Sequence, residues 1–200
     1  MKPQNFLTGI AHATLVTTSM TAATHAEPGQ PEIRWLKPAE TTPHGQAPGA
    51  RDRLLTTLPD GTQAYVLILQ TGDEVVTALQ DFAHRHHVVS AHFSAIGAVR
   101  DPEVGWFDPT RKQYKAMSLA EQMEVLSLTG DIALGANGQP VVHAHITLGR
   151  SDGQAWGGHL LRATASPTLE LFMTTYPEPL YKTLDPATGL QLIGLPPVSS

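Results

Sequence analysis

The chain has 200 residues, 41% of them hydrophobic, which is enough for one domain with a sizeable core and for terminal segments outside it. Its 18 Asp and Glu residues outnumber its 13 Lys and Arg residues, and the net charge of −5 disfavours a surface that binds nucleic acid through phosphate contacts. The chain contains no cysteine, which excludes disulfides, thiolate nucleophiles and every cysteine-based zinc motif.

The N-terminal segment has the pattern of a secretory signal peptide. Residues 3–26 contain no charged side chain, Lys2 supplies a positive start, and a small residue, Ala26, stands at the predicted cleavage position. We therefore predict a signal peptide over 1–26 and a periplasmic or secreted protein. The alternative is a disordered tail on a cytoplasmic protein. No stretch of the sequence reaches the roughly 18 apolar residues that a membrane span requires.

The next segment, residues 27–61, is rich in proline and glycine, which prevents long regular structure. It is predicted to be a linker or an arm laid over the domain or a neighbour, and only 33–36 has the character of a short strand. A compact domain is predicted over 62–195.

Within that domain the sequence predicts one helix and a series of strands. Residues 64–69 form an apolar run that is typical of a buried strand. Thr71 and Glu74 have capping-box spacing before a helix over 73–86, whose apolar residues recur at helical intervals. The remaining predicted strands are 88–96, 104–108, 113–115, 123–128, the two arms of 139–161, and 168–175. The fold class is therefore α+β, a mainly antiparallel (mixed) β-sheet with one principal helix. A single helix covers one face, so the other needs polar residues or a partner subunit.

Three histidines, His84, His86 and His87, crowd the end of the predicted helix. They suggest either a metal cluster or imidazoles placed favourably near the negative end of the helix dipole. The second interpretation is preferred, because a strand that follows a helix end turns these rings outward.

The stretch 139–161 carries the main candidate site. His143 and His145 are two residues apart on a predicted strand, so their side chains point to the same face. A hairpin with its turn at 151–153 pairs residues whose numbers sum to about 304, which places His159 opposite 145. Gly157-Gly158 allows another group to approach closely. Imidazole nitrogens within about 4 Å of one another would bind a divalent metal, preferably zinc, and leave one coordination position open.

Two further residues are candidates for an outer shell or a fourth partner, Glu124 and His92. The competing interpretation of the histidines is a solvated pair on an exposed strand. If a metal is bound, its open position would also allow an enzyme that polarises a carbonyl or activates water, with Glu124 or Asp152 as the nearest general base.

Several segments in order resemble the PPC domain, a domain of unknown function shared by plants and prokaryotes. The resemblance covers about 62–195, and the segments that carry it are 65–67, 72–74, 96–98, Glu124-Val125-Leu126-Ser127-Leu128-Thr129-Gly130, His143-Ala144-His145 and Gly157-Gly158-His159-Leu160.

The resemblance implies a homotrimer, which would cover the open face of the sheet, and a metal site in the histidine-bearing prokaryotic branch. It also leaves room for a small ligand at a subunit interface. Plant members join this domain to a short Arg-Gly-Arg-Pro segment that binds DNA, and this chain lacks that segment. Binding of nucleic acid is therefore disfavoured here, although parts of the family carry that label.

Overall fold

The computed structural model describes residues 30–41 and 43–195, so the predicted signal peptide lies outside the described residues. The regular elements, in chain order, are β1 Glu32–Leu36, a 3-10 helix Pro38–Glu40, β2 Arg51–Thr57, β3 Gln63–Gln70, α1 Val75–Arg85, β4 Ser90–Asp108, β5 Gln113–Ser118, β6 Gln122–Leu134, β7 Pro140–Gly149, β8 Ala155–Thr175, β9 Tyr181–Leu184 and β10 Gln191–Gly194. No helix among these residues is long and apolar enough to span a membrane.

The strands join into one mixed sheet, in the order β1-β5-β4-β6-β7-β8-β3-β2. All pairs along this order are antiparallel, and β9 adds a parallel contact to the end of β6. Because β4 also pairs with β8, the strands β4, β6, β7 and β8 form a closed circuit of hydrogen-bonded neighbours. The predicted fold class, mainly antiparallel sheet with one principal helix, is confirmed.

The core lies between the inner face of this curved sheet and α1, which packs against β7 and β8. Alternate residues of β3, β4 and β8 point inward, and Leu67, Phe93 and Leu171 are almost fully buried there beside Phe82 of the helix. This alternation places the intervening residues on an outward face. The candidate histidines of β7 lie on that outward face and not in the core.

The helix begins differently from the prediction. Its N-cap is Glu74, whose carboxylate accepts hydrogen bonds from the backbone N–H groups of Val76 and Thr77 at 3.2 and 2.7 Å. The hydroxyl of Thr71, predicted to cap the helix, instead donates to the carbonyl of Pro167. The predicted capping box was therefore wrong. The strand-to-helix turn spans the four residues 71–74, so Glu74 is the N-cap and not the third residue of the helix.

The segment 27–61 supplies both edge strands of the sheet order. β1 pairs with β5, and the Arg34 guanidinium holds the buried carboxylate of Glu103 through contacts of 2.7 to 2.9 Å. β2, which the sequence did not predict, pairs with β3. Between them, the N–H of Gly49 donates to Asp73, which is 1% exposed. As far as the structure describes it, this segment is packed onto the domain along its length.

Candidate metal centre

The hairpin of β7 and β8 brings the three histidines of the predicted site together. His145 lies directly opposite His159, so the predicted register is confirmed. The turn that sets it contains Gly153 at φ +81°, and Asp152 accepts a hydrogen bond from the N–H of Gln154 at 2.9 Å. This is ordinary turn chemistry, which fixes the pairing of the strands that follow.

Each histidine offers a ring nitrogen, and these nitrogens lie within 4.8 Å of one another. The three ring centroids are separated by 5.1 to 5.4 Å. Nitrogens bound tetrahedrally at about 2.0–2.1 Å from zinc are separated by roughly 3.4 Å. The observed spacing is wider than the roughly 4 Å expected, so the rings would have to move toward one another to bind a common ion. Among the described residues, this is the one cluster of possible metal ligands.

Gly157 and Gly158 allow a close approach, as the sequence suggested, and the approaching group is the backbone of the neighbouring strands. A Cβ at Gly157 would collide with the carbonyl oxygen of Ile146, and one at Gly158 would lie 2.8 Å from the carbonyl oxygen of Gly105. β8 thus passes closely between β7 and β4 at this point. The close passage places His159 beside His145 on one side and beside β4 on the other.

A carboxylate that the sequence analysis missed orients one of the histidines. Asp131 Oδ2 lies 3.3 Å from Nδ1 of His143. With that nitrogen protonated and donating to Asp131, the lone pair of Nε2 is free for a metal, an arrangement typical of histidine ligands. The other oxygen, Oδ1, lies 2.6 Å from the ammonium of Lys182 and has no other hydrogen-bond partner among the described residues.

The charges around this carboxylate keep it ionised. Burial acts to raise the pKa of Asp131, but the hydrogen bonds and charges of His143 and Lys182 outweigh burial and lower that pKa below its ordinary value. Lys182 is only 3% exposed, so the ion pair compensates for burial of an ammonium group. Asp131 is therefore a carboxylate anion held beside Nδ1 of His143.

The other two imidazoles are held in the neutral form that a metal requires. Burial, together with the charge of His143, lowers the pKa of His145. Burial lowers the pKa of His159 to about 3, with further contributions from His143, His145 and Lys182. Neither ring needs to lose a proton near neutral pH before it can coordinate an ion.

This shift makes the metal-free protein less stable in acid. His159 has a folded-state pKa of about 3 against 6.5 when exposed, so between these values the unfolded chain binds the extra proton. The contribution of His159 to the free energy of unfolding is fully present above pH 6.5 and is lost as the pH drops toward 3. From pH 7 to pH 5 we expect a loss of up to about 2 kcal/mol, measurable by urea unfolding. A His159→Gln variant should lose less over the same interval, and an unchanged slope would contradict the assignment.

The two residues predicted as an outer shell lie elsewhere on the same face. Glu124 is exposed and pairs with Gly149, four residues beyond His145, a distance of roughly 13 Å along the strand. His92 on β4 pairs with Asp131, which pairs with His143 on its other side. His92 is therefore about two strand spacings, or 10 Å, from His143. Its Nδ1 is 2.8 Å from the Tyr176 hydroxyl. Neither contacts the cluster, and the outer-shell position is occupied by Asp131.

The histidines at the end of α1 do not form a second cluster. His86 Nε2 lies 2.7 Å from Asp52, and its ring packs against Phe82 with centroids 4.4 Å apart. His84 and His87 are exposed, as the preferred interpretation of this sequence region expected.

A cavity of about 590 Å³ opens above the three histidines. The ring of Tyr114 stacks on His159 with centroids 4.9 Å apart and lies so close to β4 that a Cβ at Gly105 would be 2.8 Å from it. Trp106 and Phe107 continue this wall, and the 3-10 helix and the β9–β10 hairpin close the cavity from the other side. The site therefore combines a possible ion position with an adjoining chamber.

Comparison with solved structures finds the same fold in several prokaryotic proteins. A plant- and prokaryote-conserved (PPC) protein from Pyrococcus horikoshii is 27% identical, with a TM-score of 0.63 over 74% of this chain and 97% of its own. A protein from Archaeoglobus fulgidus described as metal-containing is 33% identical, with a TM-score of 0.61 over 66% and 93%. One from Bacteroides thetaiotaomicron, described as a candidate DNA-binding protein, is 31% identical, with a TM-score of 0.64 over 72% and 96%.

Two curated relatives are longer proteins, both named Bifunctional protein GlmU and both from Synechococcus strains. They are 30% identical over 145 residues and 31% identical over 106 residues, which is 70% and 52% of this chain. The chain spans only 21% and 16% of their lengths. The model of the Plants and Prokaryotes Conserved (PCC) domain matches residues 58–177. The chain is therefore a member of the PCC domain family.

Proposed function

We propose that this protein is a metal-binding module that holds one divalent ion, zinc, through His143, His145 and His159. The observation that carries the proposal is the convergence of three imidazole nitrogens within 4.8 Å, one of them oriented by the ionised carboxylate of Asp131. Three neutral imidazoles with an open fourth position suit zinc, and a histidine held by a carboxylate is the common outer-shell arrangement around it. The metal-containing relative from Archaeoglobus fulgidus supports the same proposal.

The direct test is metal analysis of protein purified without a histidine tag. We expect about one equivalent of zinc per chain, or one equivalent taken up in a calorimetric titration of protein stripped with EDTA. Zinc binds only the folded site, so at 100 times its dissociation constant it should stabilise the fold by about 2.7 kcal/mol. Protein that contains no metal and whose melting temperature does not respond to zinc would contradict the proposal.

A homotrimer is the proposed assembly. Three large apolar side chains are more than half exposed on the outward face, where β6, β4 and β8 adjoin: Leu126 at 56%, Ile96 at 61% and Phe172 at 56%. Exposed apolar side chains grouped on neighbouring strands in this way are typical of an interaction surface, and a second and third copy of the chain would cover them. The sheet offers this face to a partner because α1 occupies only the inner one.

Placing a charge in this patch should separate the subunits. We expect Phe172→Asp to run at one third of the wild-type mass in size-exclusion chromatography with light scattering, because a buried unpaired carboxylate costs several kcal/mol at each interface. Ile193→Asp, a change on the separate β9–β10 hairpin, is the control and should leave the mass unchanged. A wild-type protein that is monomeric would refute the trimer.

Export to the periplasm or the medium is the proposed location. It is supported by the uncharged run 3–26 and the small residue at Ala26. Mass spectrometry of the mature N-terminus from fractionated cells tests it, since cleavage after Ala26 would leave Glu27 as the first residue. An intact N-terminus in the cytoplasm would contradict export.

Binding is favoured over metal-dependent catalysis, because no carboxylate lines the cavity among the described residues. The two candidate bases of the sequence analysis do not reach it: Glu124 lies along the strand from the site, and Asp152 is in the hairpin turn. The prediction against nucleic acid stays a prediction. Its test is DNA titration at two salt concentrations, where steeply salt-dependent binding would contradict it.

A further inference from the structure

The chamber above the histidines is assembled from two sources. The histidines and the aromatic wall lie within residues 58–177, which the family model matches. The opposite wall comes from outside that range, from Pro38 and Ala39 of the 3-10 helix and from the β9–β10 hairpin. A volume of about 590 Å³ is in the range of pockets that enclose small organic molecules.

The walls of this chamber are mainly apolar. Aromatic rings line the side formed by β4 and β5, and aliphatic side chains line much of the rest, beside the three histidines, Lys182 and Gln191. The residues that provide this surface are Trp106, Phe107, Val141, Leu184, Leu190 and Leu192. An occupant with a hydrocarbon or aromatic body would remove this surface from water, which is the main favourable contribution to binding such a ligand.

The charges at the floor favour an anionic end on the occupant. In the part of the chain that the structure describes, no residue that lines the chamber is acidic, and the one charged lining residue, Lys182, is already paired with Asp131 at 2.6 Å. A divalent ion on three neutral imidazoles would therefore bring two positive charges that no side chain lining the chamber offsets. A carboxylate at the open coordination position would offset one of them.

We propose that the chamber binds an apolar carboxylate. Its carboxylate would occupy the open position of the ion held by His143, His145 and His159, and its body would lie against the aromatic and leucine walls. This inference rests on the proposed metal site and adds the chemical class of the ligand to it. It also assigns a role to the segments on either side of the family domain, which form the wall that the ligand body contacts.

The probe is 3-phenylpropanoate, titrated calorimetrically into untagged, zinc-loaded protein. Acetate tests the carboxylate without the body, and 3-phenylpropan-1-ol tests the body without the carboxylate. We expect 3-phenylpropanoate to bind at least about tenfold more tightly than either, because burial of its ring and its charge act together. After removal of zinc with EDTA its affinity should fall at least about tenfold.

Two leucines near the end of the described residues give a matched pair of variants. Leu192 lines the chamber and is 45% exposed, whereas Leu195 is 76% exposed and does not line it. Leu192→Asp places a carboxylate in the wall and should weaken 3-phenylpropanoate binding at least about tenfold, with zinc content unchanged. Leu195→Asp makes the same substitution three residues further along the chain, away from the chamber lining, and should bind as the wild type does.

The outcomes separate this inference from the proposed function. Zinc bound at one equivalent, with 3-phenylpropanoate no tighter than acetate, would overturn the ligand proposal and leave the metal site standing. Equal weakening by Leu192→Asp and Leu195→Asp would also overturn it, since binding would not depend on the chamber wall. Protein that takes up no zinc would overturn both.

Discussion

Replacing His159 by alanine is expected to weaken zinc binding by at least about 100-fold. Loss of an outer-shell partner alone typically costs roughly 10–100-fold, and His159 is proposed as a direct ligand. It is also the ligand that comes from the second strand, opposite His145 and beneath the ring of Tyr114. Without it, two imidazoles of one strand remain, and the site loses the donor that approaches from the other side.

The measurement is competition with a chromophoric zinc chelator at pH 7.5. His92→Ala is the control, because His92 is an exposed histidine of the same face that bonds to Tyr176 and not to the cluster. Its affinity should stay within about twofold of the wild type. Equal losses in the two variants would mean that zinc is held by surface histidines in general, and the proposed site would be refuted.

Replacing Glu74 by alanine is expected to destabilise the fold by about 3 kcal/mol. The carboxylate is 4% exposed and accepts hydrogen bonds from the N–H of Val76, from the N–H and hydroxyl of Thr77, and from the N–H of Ala163 on β8. Loss of a helix cap costs about 0.5–2 kcal/mol, and each buried donor left without a partner adds about 1–3 kcal/mol. The change would also loosen α1 from β8, the strand that carries His159.

Urea unfolding with coincident fluorescence and circular dichroism measures this loss. Glu74→Gln keeps an acceptor oxygen and should recover more than half of the lost stability. The control is Glu40→Ala, which removes the carboxylate that accepts from Lys37 at the exposed 3-10 helix, and it should cost less than about 0.5 kcal/mol. A loss at Glu74 as small as at Glu40 would show that the buried cap carries little of the stability.

The part of the site that could be predicted from sequence is the part fixed by local turns. The turn at Ser151-Asp152-Gly153 sets the register of β7 and β8, and this register alone places His159 opposite His145. The same logic does not find Asp131. Asn137-Gly138 is typical of a two-residue turn, whose paired residues sum to 275 and would place Asp131 opposite Ala144. The observed turn instead joins Gly135 to Gln139 and places Asp131 opposite His143. The strand predicted over 123–128 also ends before Asp131, whereas β6 runs to Leu134.

The parts that were missed depend on contacts between distant residues. β2 has no alternation of apolar and polar residues, since it is an exposed edge strand with a bulge between Leu54 and Thr56. β9 and β10 lie in a proline-rich tail and are ordered by pairing with each other and by the contact of Tyr181 with Leu134. The pairing of Lys182 with Asp131 spans strands that no local pattern connects. The wall of the chamber that the β9–β10 hairpin forms was therefore not predictable from local patterns.

The division of the chamber between the family domain and its flanking segments has an evolutionary consequence. The donor atoms are encoded inside residues 58–177, whereas Pro38, Ala39 and the leucines of the β9–β10 hairpin are encoded outside them. Substitutions or insertions in the flanks can reshape what the chamber accepts without disturbing the donor set. If the proposed metal and ligand bind here, metal affinity and ligand selectivity would be inherited separately, and two members of the family with the same three histidines need not share a ligand.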